Sequence, residues 1–397
     1  MKWLKQDESL RIPIKSWCEN VEPGALQQAE NLARHPALER YVALMPDCHV
    51  GYGMPIGGVI AAQNAILPSA VGVDIGCGMI AVETDVPAER LGDMRTRRAI
   101  QEKLKERIPV GEGFSHPLPQ IWEGFERYLD SGNAHCDFPN GLDRKNLGTL
   151  GGGNHFVELQ KSDAGFVWLM IHSGSRNLGS RIEKHYQAVA KKLNAAFHVE
   201  LPDPDLPFLP MDIPEGIAYY QDMRFALAYA LENRHRMMQV FRETLAEFIP
   251  ETNFLREINI HHNYAAKEEH LGGKFFIHRK GATSARLDEI GIIPGSMGTA
   301  SYIVRGLGNP ESFQSCSHGA GRVMSRIAAS TNLTVEECDA AMDGIVFERW
   351  GKCKYHRNLR DLSEAPQAYK PIDEVIAAEA DLVEPLVRLT PLAVLKG

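Results

Sequence analysis

Val71-Gly72-Val73-Asp74-Ile75-Gly76-Cys77-Gly78 sets a carboxylate and a thiol three residues apart, among three glycines and with no lysine or arginine. Asp and Cys flanked in this way read as ligands held where backbone and substrate approach closely. Matching partners lie elsewhere in the chain: His155 in Gly151-Gly152-Gly153-Asn154-His155, His172 in Ile171-His172-Ser173-Gly174-Ser175-Arg176, and His262 in His261-His262-Asn263-Tyr264. One Asp, one Cys and three His point to a metal site assembled from distant segments. The motifs run from about residue 45 to 320, and no Ser/Gly tract, charge block or internal repeat divides them. That favours one continuous domain, residues 1–397, over a ligand module joined to a separate catalytic one.

Dense alternating charge over residues 90–107 predicts an exposed helix. Between residues 217 and 249, Met223, Leu227, Leu231, Met238, Phe241, Leu245 and Phe248 recur at roughly helical spacing until Pro250 stops the helix. Its Met and aromatic residues read as core rather than as a cofactor box. Thr334-Val335-Glu336-Glu337 is a capping-box start, and Pro371 opens a last helix toward Val387, interrupted by Pro385. Short apolar strands are expected at residues 157–159, 166–171 and 274–277; the last two run directly into His172 and His278-Arg279-Lys280. Without a regular βαβ alternation the fold class is α+β rather than a Rossmann or barrel fold.

The 397 residues are 44% hydrophobic and 24% charged, ordinary for a chain with a sizeable core. A net charge of −8 argues against a large non-specific nucleic-acid footprint while leaving room for a local groove of Arg and Lys. Seven cysteines (Cys18, Cys48, Cys77, Cys136, Cys316, Cys338 and Cys353), an odd number without a CxxC pair, argue against a disulfide framework and for a reducing cytoplasm. The first residues lack the apolar stretch of a signal peptide. No run approaches the ~20 apolar residues of a membrane helix.

Taken alone, Asp74 and Cys77 read as a turn-forming Asp beside a buried structural Cys. Leu150-Gly151-Gly152-Gly153, before Asn154, His155 and Glu158, reads as a flexible turn or as backbone open to a nucleotide. Arg176 with Ser173 and Ser175 makes a reasonable oxyanion or phosphate clamp. In an extended segment His261 and His262 point to opposite faces, so only one of them easily serves as a ligand. Ser315-Cys316-Ser317-His318-Gly319-Ala320-Gly321-Arg322 reads as a loop of small residues leading into a helix through Met324 and Arg326. Such a junction offers N–H groups and a positive dipole end to an anion. His318 there suits a nucleophile, a general acid or a ligand, with Arg322 and Arg326 one helical turn apart facing a phosphate-rich substrate. The conjunction of these glycine-flanked motifs is hard to explain as a set of independent accidents.

At these residues the chain resembles the RtcB family of RNA-splicing ligases. The similarity runs in the family's order through residues 45–51, 71–78, 147–158, 171–179, 262–265, 279–282, 293–302 and 315–322, then through Ala368-Tyr369-Lys370 and the final Lys396-Gly397. The resemblance implies a single RtcB-like α+β domain with mixed β-sheets surrounding the active-site cleft and helices packed outside, and GTP-dependent ligation in RNA splicing or repair. The RNA would carry a 3′-phosphate or 2′,3′-cyclic phosphate on one end and a 5′-hydroxyl on the other. By resemblance, His318 takes up GMP from GTP and passes it to the 3′-phosphate, giving an RNA(3′)pp(5′)G end from which the 5′-hydroxyl displaces GMP. Two manganese ions are implied, bridged by Cys77, with Asp74 and His155 completing one site and His172 and His262 the other. Softness alone would suggest zinc for a Cys/His set. Asn154, Glu158, Ser296, Ser301, Tyr369 and Lys396 match positions that contact the guanine nucleotide, as do Gly319, Ala320 and Gly321. Asp47, Arg176, Lys280 and Arg322 match positions that hold phosphate or support the metal ligands.

Residues 347–361 depart from the family pattern; their basic and aromatic character suits an RNA-contacting loop or an exposed one. The implied partners are RNA and GTP, without a membrane. A monomer is expected, and the resemblance does not itself imply the activating protein archease. The rival reading is a dinuclear metal-dependent phosphoesterase or nuclease acting on RNA ends, which would use the same ligands without a covalent histidine. A metal-dependent RNA-binding protein is a weaker alternative.

Overall fold

The computed structural model describes residues 1–131, 139–353 and 358–397, so Cys136 and part of the divergent segment lie outside the described residues. Runs of Val, Ile, Leu and Ala build two large sheets. The first has six strands in the order Trp3–Lys5, Ile14–Ser16, Leu38–His49, Ile56–Ala62, Gly273–Lys280 and Asn263–His270. The second has seven, in the order Phe254–His261, Gly78–Pro87, Phe166–Ser173, Phe156–Ser162, Val383–Lys396, Ser301–Gly306 and Ile290–Ile293. Pairing is antiparallel within both sheets except between Ile14–Ser16 and Leu38–His49. With helices packed against these sheets, the class is α+β.

The helix Pro214–Phe248 starts on a proline at its first turn, and its last turn is followed by Pro250, which has no N–H to continue the ladder. Its C-terminal half lays Met237, Met238, Phe241 and Leu245 on Ile80, Val82, Leu169 and Ile171 of the seven-stranded sheet. Its N-terminal half packs Tyr219, Met223, Phe225 and Tyr229 against Leu178, Ile182 and Tyr186 of the helix Asn177–Ala196. The Met and aromatic residues are therefore core, each contributing on the order of 1.5–3 kcal/mol through burial.

Other elements differ from expectation. The charged helix begins at Met94 rather than residue 90, because Asp93 caps it by accepting from the Arg95 and Thr96 N–H groups and Gly92 breaks the chain before it. The Thr334–Glu337 capping box is present. The last helix is only Ile372–Ala378, and residues 383–396 form a long strand instead of continuing it. Pro385 and Pro391 decide this: each falls where the register shifts, at a bulge that needs no N–H, whereas a helix interior would lose a hydrogen bond at both. Residues 315–322 are likewise no helix entrance. Ser315–Ser317 is a strand paired with Ala282–Ser284, and the following helix starts only at Arg326, capped by Ser325.

The strand Phe254–His261 lies at the edge of one sheet and Asn263–His270 at the edge of the other. His262 is the single residue between them, so it stands where the chain passes from sheet to sheet.

Candidate metal centre and adjoining histidine

Gly78 pairs with His261 on one side and Ser173 on the other, which brings Cys77, His172 and His262 to the same end of three neighbouring strands. This approach is open only to glycine: a Cβ on Gly78 would lie 1.9 Å from the Ile260 carbonyl oxygen. The His262 N–H donates to the Cys77 carbonyl at 2.8 Å, and the Gly76 N–H to the Asn263 carbonyl at 2.8 Å, locking the 71–78 loop onto the corner between the sheets. Asn263 Nδ2 donates to the Asp74 carbonyl at 3.1 Å. The Ser175 N–H donates to Asp74 Oδ1 at 3.2 Å, and Gly174 leaves space for that carboxylate, which a Cβ would meet at 2.3 Å.

Two groups of potential donor atoms result, each within 4.8 Å: Asp74, Cys77 and His155, and Cys77, His172 and His262. Cys77 is common to both. His155 Nε2 lies 3.1 Å from Asp74 Oδ2 and 3.5 Å from Cys77 Sγ. His172 Nε2 lies 3.2 Å from Cys77 Sγ and 3.4 Å from His262 Nε2. The tautomers follow from the outer nitrogens. His155 Nδ1 faces the Leu150 carbonyl at 2.8 Å and His172 Nδ1 the Asn154 carbonyl at 3.2 Å, so both donate there. Their Nε2 lone pairs then converge on a carboxylate, a thiol and another imidazole.

Electrostatics agree. Burial, then neighbouring histidines, holds His172 and His262 well below the usual imidazole range, so they are neutral. Burial and then the Asp74 charge push the Cys77 thiol well up. Burial works against an ionised Asp74, but its polar contacts with His155 and Cys77 and the Arg176 charge outweigh it and keep the carboxyl low. Lone pairs pointing at one another beside a carboxylate, with a thiol that ionises only if compensated, fit a pair of cations sharing Cys77. His261 faces away, with Nδ1 2.9 Å from the Gly76 carbonyl, which separates the two adjacent histidines.

His318 stands beside this cluster, its ring centroid 4.8 Å from that of His262. Fully buried Asp47, on the strand Leu38–His49, meets His318 Nδ1 at 2.6 Å and accepts from its backbone N–H at 3.1 Å. With Nδ1 committed as a donor, Nε2 carries the lone pair. Glu379 accepts from the Ser317 N–H at 2.9 Å behind it and is pushed up to about 8 by burial.

A cavity of about 250 Å³ joins the groups. Asp74, Cys77, His172, His262 and His318 line it, together with Asn154, Ser296, Gly319, Ala320, Gly321, Arg322, Tyr369 and Lys396. Its far wall is organised by Glu364, which the sequence reading missed and which no local motif betrays. Glu364 Oε2 accepts from Tyr369 OH at 2.6 Å and Lys396 Nζ at 2.9 Å, while Arg322 and Arg326 both reach Oε1 at 3.4 Å. The two arginines thus meet on one carboxylate rather than along one helical turn.

Other expected residues stand behind the wall. Glu158, pushed up to about 7 by burial, accepts from Gln160 at 2.7 Å, and Gln160 reaches Ser301 Oγ at 3.3 Å. Arg176 donates to Thr149 Oγ1 at 3.3 Å, and its guanidinium fills the space that a Cβ on Gly151 would need. Lys280, drawn down to about 8 by burial, donates to the Tyr52 and Ser69 carbonyls at 2.5 and 2.9 Å. In the divergent segment, Trp350 is buried and its indole N–H donates to Asp339 at 2.8 Å; residues 354–357 lie outside the described residues.

The fold and the site define an α+β protein with a candidate paired-metal centre beside a carboxylate-oriented histidine. The family model described as tRNA-splicing ligase RtcB matches residues 28–144 and 131–397. The chain belongs to the RtcB family. It is 39% identical to the RNA-splicing ligase RtcB of Escherichia coli K12, over 97% of both chains. It is 31% identical to the tRNA-splicing ligase RtcB of Thermococcus kodakarensis, over 99% of this chain and 96% of the other. The RNA-splicing ligase RtcB of Mycobacterium tuberculosis is 32% identical, with 93% and 100% covered. Among the described residues no helix is long and apolar enough to cross a membrane.

Proposed function

We propose that the chain is an RNA ligase that joins a 3′-phosphate or 2′,3′-cyclic phosphate end to a 5′-hydroxyl end at the expense of GTP. The observation that carries this reading is the Asp47–His318 pair set beside the Cys77 cluster in a chain whose relatives are named RNA-splicing ligases. Asp74, Cys77 and His155 would hold one Mn²⁺, and Cys77, His172 and His262 the other. Bound there, the ions would neutralise phosphate charge.

The chain's own residues do the rest. Asp47 holds the proton on Nδ1 of His318, leaving Nε2 as the nucleophile toward the α-phosphorus of GTP. An N–P bond forms, the α–β phosphoanhydride breaks and pyrophosphate leaves. An oxygen of the RNA 3′-phosphate then takes the guanylate from His318, and the 5′-hydroxyl attacks the activated 3′-phosphorus with departure of GMP. A cyclic end is first opened by hydrolysis. Arg322 and Lys396 offer cations for the triphosphate, and the Tyr369 face suits a base.

Incubation with α-labelled GTP and Mn²⁺ tests the reading: an acid-labile label lost in His318→Ala is expected. End hydrolysis without any protein-bound label would favour a phosphoesterase instead.

A further inference from the structure

The four segments that carry the candidate ligands are held from behind by two adjacent residues of the helix Pro214–Phe248. Asn233 and Arg234 are both fully buried. Asn233 Oδ1 accepts from the Gly148 and Thr149 N–H groups at 2.7 and 3.1 Å. Its Nδ2 donates to the Thr149 carbonyl, Ser173 Oγ and the Gly174 carbonyl at 3.1–3.2 Å. Ser173 Oγ in turn donates at 2.9 Å to the Leu150 carbonyl, the oxygen that orients His155. Asn233 therefore ties the glycine-rich segment before His155 to the Gly174 backbone on which the Asp74 carboxylate rests.

Arg234 reaches the other half. Its Nη1 donates to the Gly76 carbonyl at 2.8 Å and the Ser173 carbonyl at 2.9 Å, next to Cys77 and His172. Nε donates to Asn259 Oδ1 at 2.8 Å, and Nη2 lies 3.3 Å from His261 Nδ1, on the strand that ends at His262. These contacts are all neutral groups. A fully buried guanidinium is costly unless its N–H groups are met, and here the segments of Gly76, Ser173 and Asn259 meet them.

We propose that Asn233 and Arg234 are the positioning residues of the metal centre, Asn233 for the Asp74–Cys77–His155 half and Arg234 for the Cys77–His172–His262 half. This rests on the metal reading given above. Groups that orient metal ligands typically account for about 10–100-fold in metal affinity. The division between two neighbouring residues follows from the helix itself: consecutive side chains diverge by about 100°, so each can serve a different segment.

The test is Mn²⁺ titration by calorimetry on the full-length protein, with Co²⁺–thiolate absorption as a second readout and thermal melting as a control. His155→Ala isolates the Arg234-supported half and His172→Ala the Asn233-supported half. Arg234→Met is expected to weaken binding about 10–100-fold in the first background, and Asn233→Ala by a similar factor in the second, each with a smaller effect in the other. Arg234→Lys, which keeps the charge and loses the fork, should fall between Arg234→Met and wild type. A merely structural role would lower the melting temperature and leave affinity unchanged, and that result overturns the proposal. Should Arg234→Met fail to fold, Asn259→Ala, which frees the Nε end of the fork, carries the test with the same two outcomes. Wild-type protein that binds no Mn²⁺ or Co²⁺ at all would instead sink the metal reading itself.

Discussion

Asp47 and His318, 271 residues apart in the chain, meet through a 2.6 Å contact between Oδ2 and Nδ1. The same carboxylate oxygen accepts the His318 backbone N–H, so it fixes ring orientation and tautomer together. Asp47→Ala should therefore reduce guanylate labelling of His318 by about 100-fold or more, the usual scale for a group that manages a proton in catalysis. A time course of labelling in a variant with unchanged Mn²⁺ affinity checks it; wild-type rates would remove Asp47 from the mechanism.

Cys77 belongs to both donor groups. Cys77→Ala is expected to abolish bound Mn²⁺ at both positions, and with it the labelling of His318. Metal analysis after desalting decides the point: retention of one full equivalent would mean that Cys77 serves one site and does not bridge.

Glu364 gathers Tyr369, Lys396, Arg322 and Arg326 on one wall of the cavity. Glu364→Gln keeps the shape and removes the charge that holds these groups in place. We expect KM for GTP to rise about tenfold, the scale of one lost charge-assisted contact, with a smaller change in kcat. An unaltered KM would show that the cations find their places without it.

Gly78→Ala places a methyl group 1.9 Å from the Ile260 carbonyl oxygen. The strand between His261 and Ser173 must shift, at a cost of about 1–3 kcal/mol or more. A drop in melting temperature together with loss of metal binding is expected, since the same shift separates Cys77 from His172 and His262.

His35 and His278 are buried away from the cavity and held down to about 4 by desolvation. Each ring donates to one carbonyl and accepts one backbone N–H, arrangements that need the neutral form. Because the folded value lies below the unfolded one, the unfolded chain takes up protons first as the pH falls through about 6.5. Stability should then decline toward pH 4 by about 1.4 kcal/mol per pH unit for each histidine. Urea unfolding at pH 7 and pH 5 measures it, and His278→Gln should flatten the slope.

Much of the site was legible because metal-binding chemistry needs unusual residues in unusual settings. Asp74, Cys77, His155, His172, His262 and His318 each stand out locally by glycine neighbours or by histidine itself. Glu364, Asn233 and Arg234 do not. Their importance lies in which distant carbonyls and cations they touch, and an Asn-Arg pair inside a helical pattern looks like solvent-facing polarity. Secondary structure divided in the same way. The long helix and the Thr334 cap follow local rules, whereas the strand Val383–Lys396 depended on two prolines finding bulges opposite partners far away in sequence.

The amino-acid sequence alone settled the α+β class, the family and the identity of the candidate ligands, since composition, periodicity and motif order are properties of the chain. The family resemblance implies a shared Cys77 and His262 rather than His261; only the folded molecule shows the donor atoms of both groups meeting at Cys77, His261 turned to the Gly76 carbonyl, and Asp47 orienting His318. These are matters of a few ångströms between segments tens to hundreds of residues apart. Strand register and the corner between two sheets set those distances, and no local pattern encodes them.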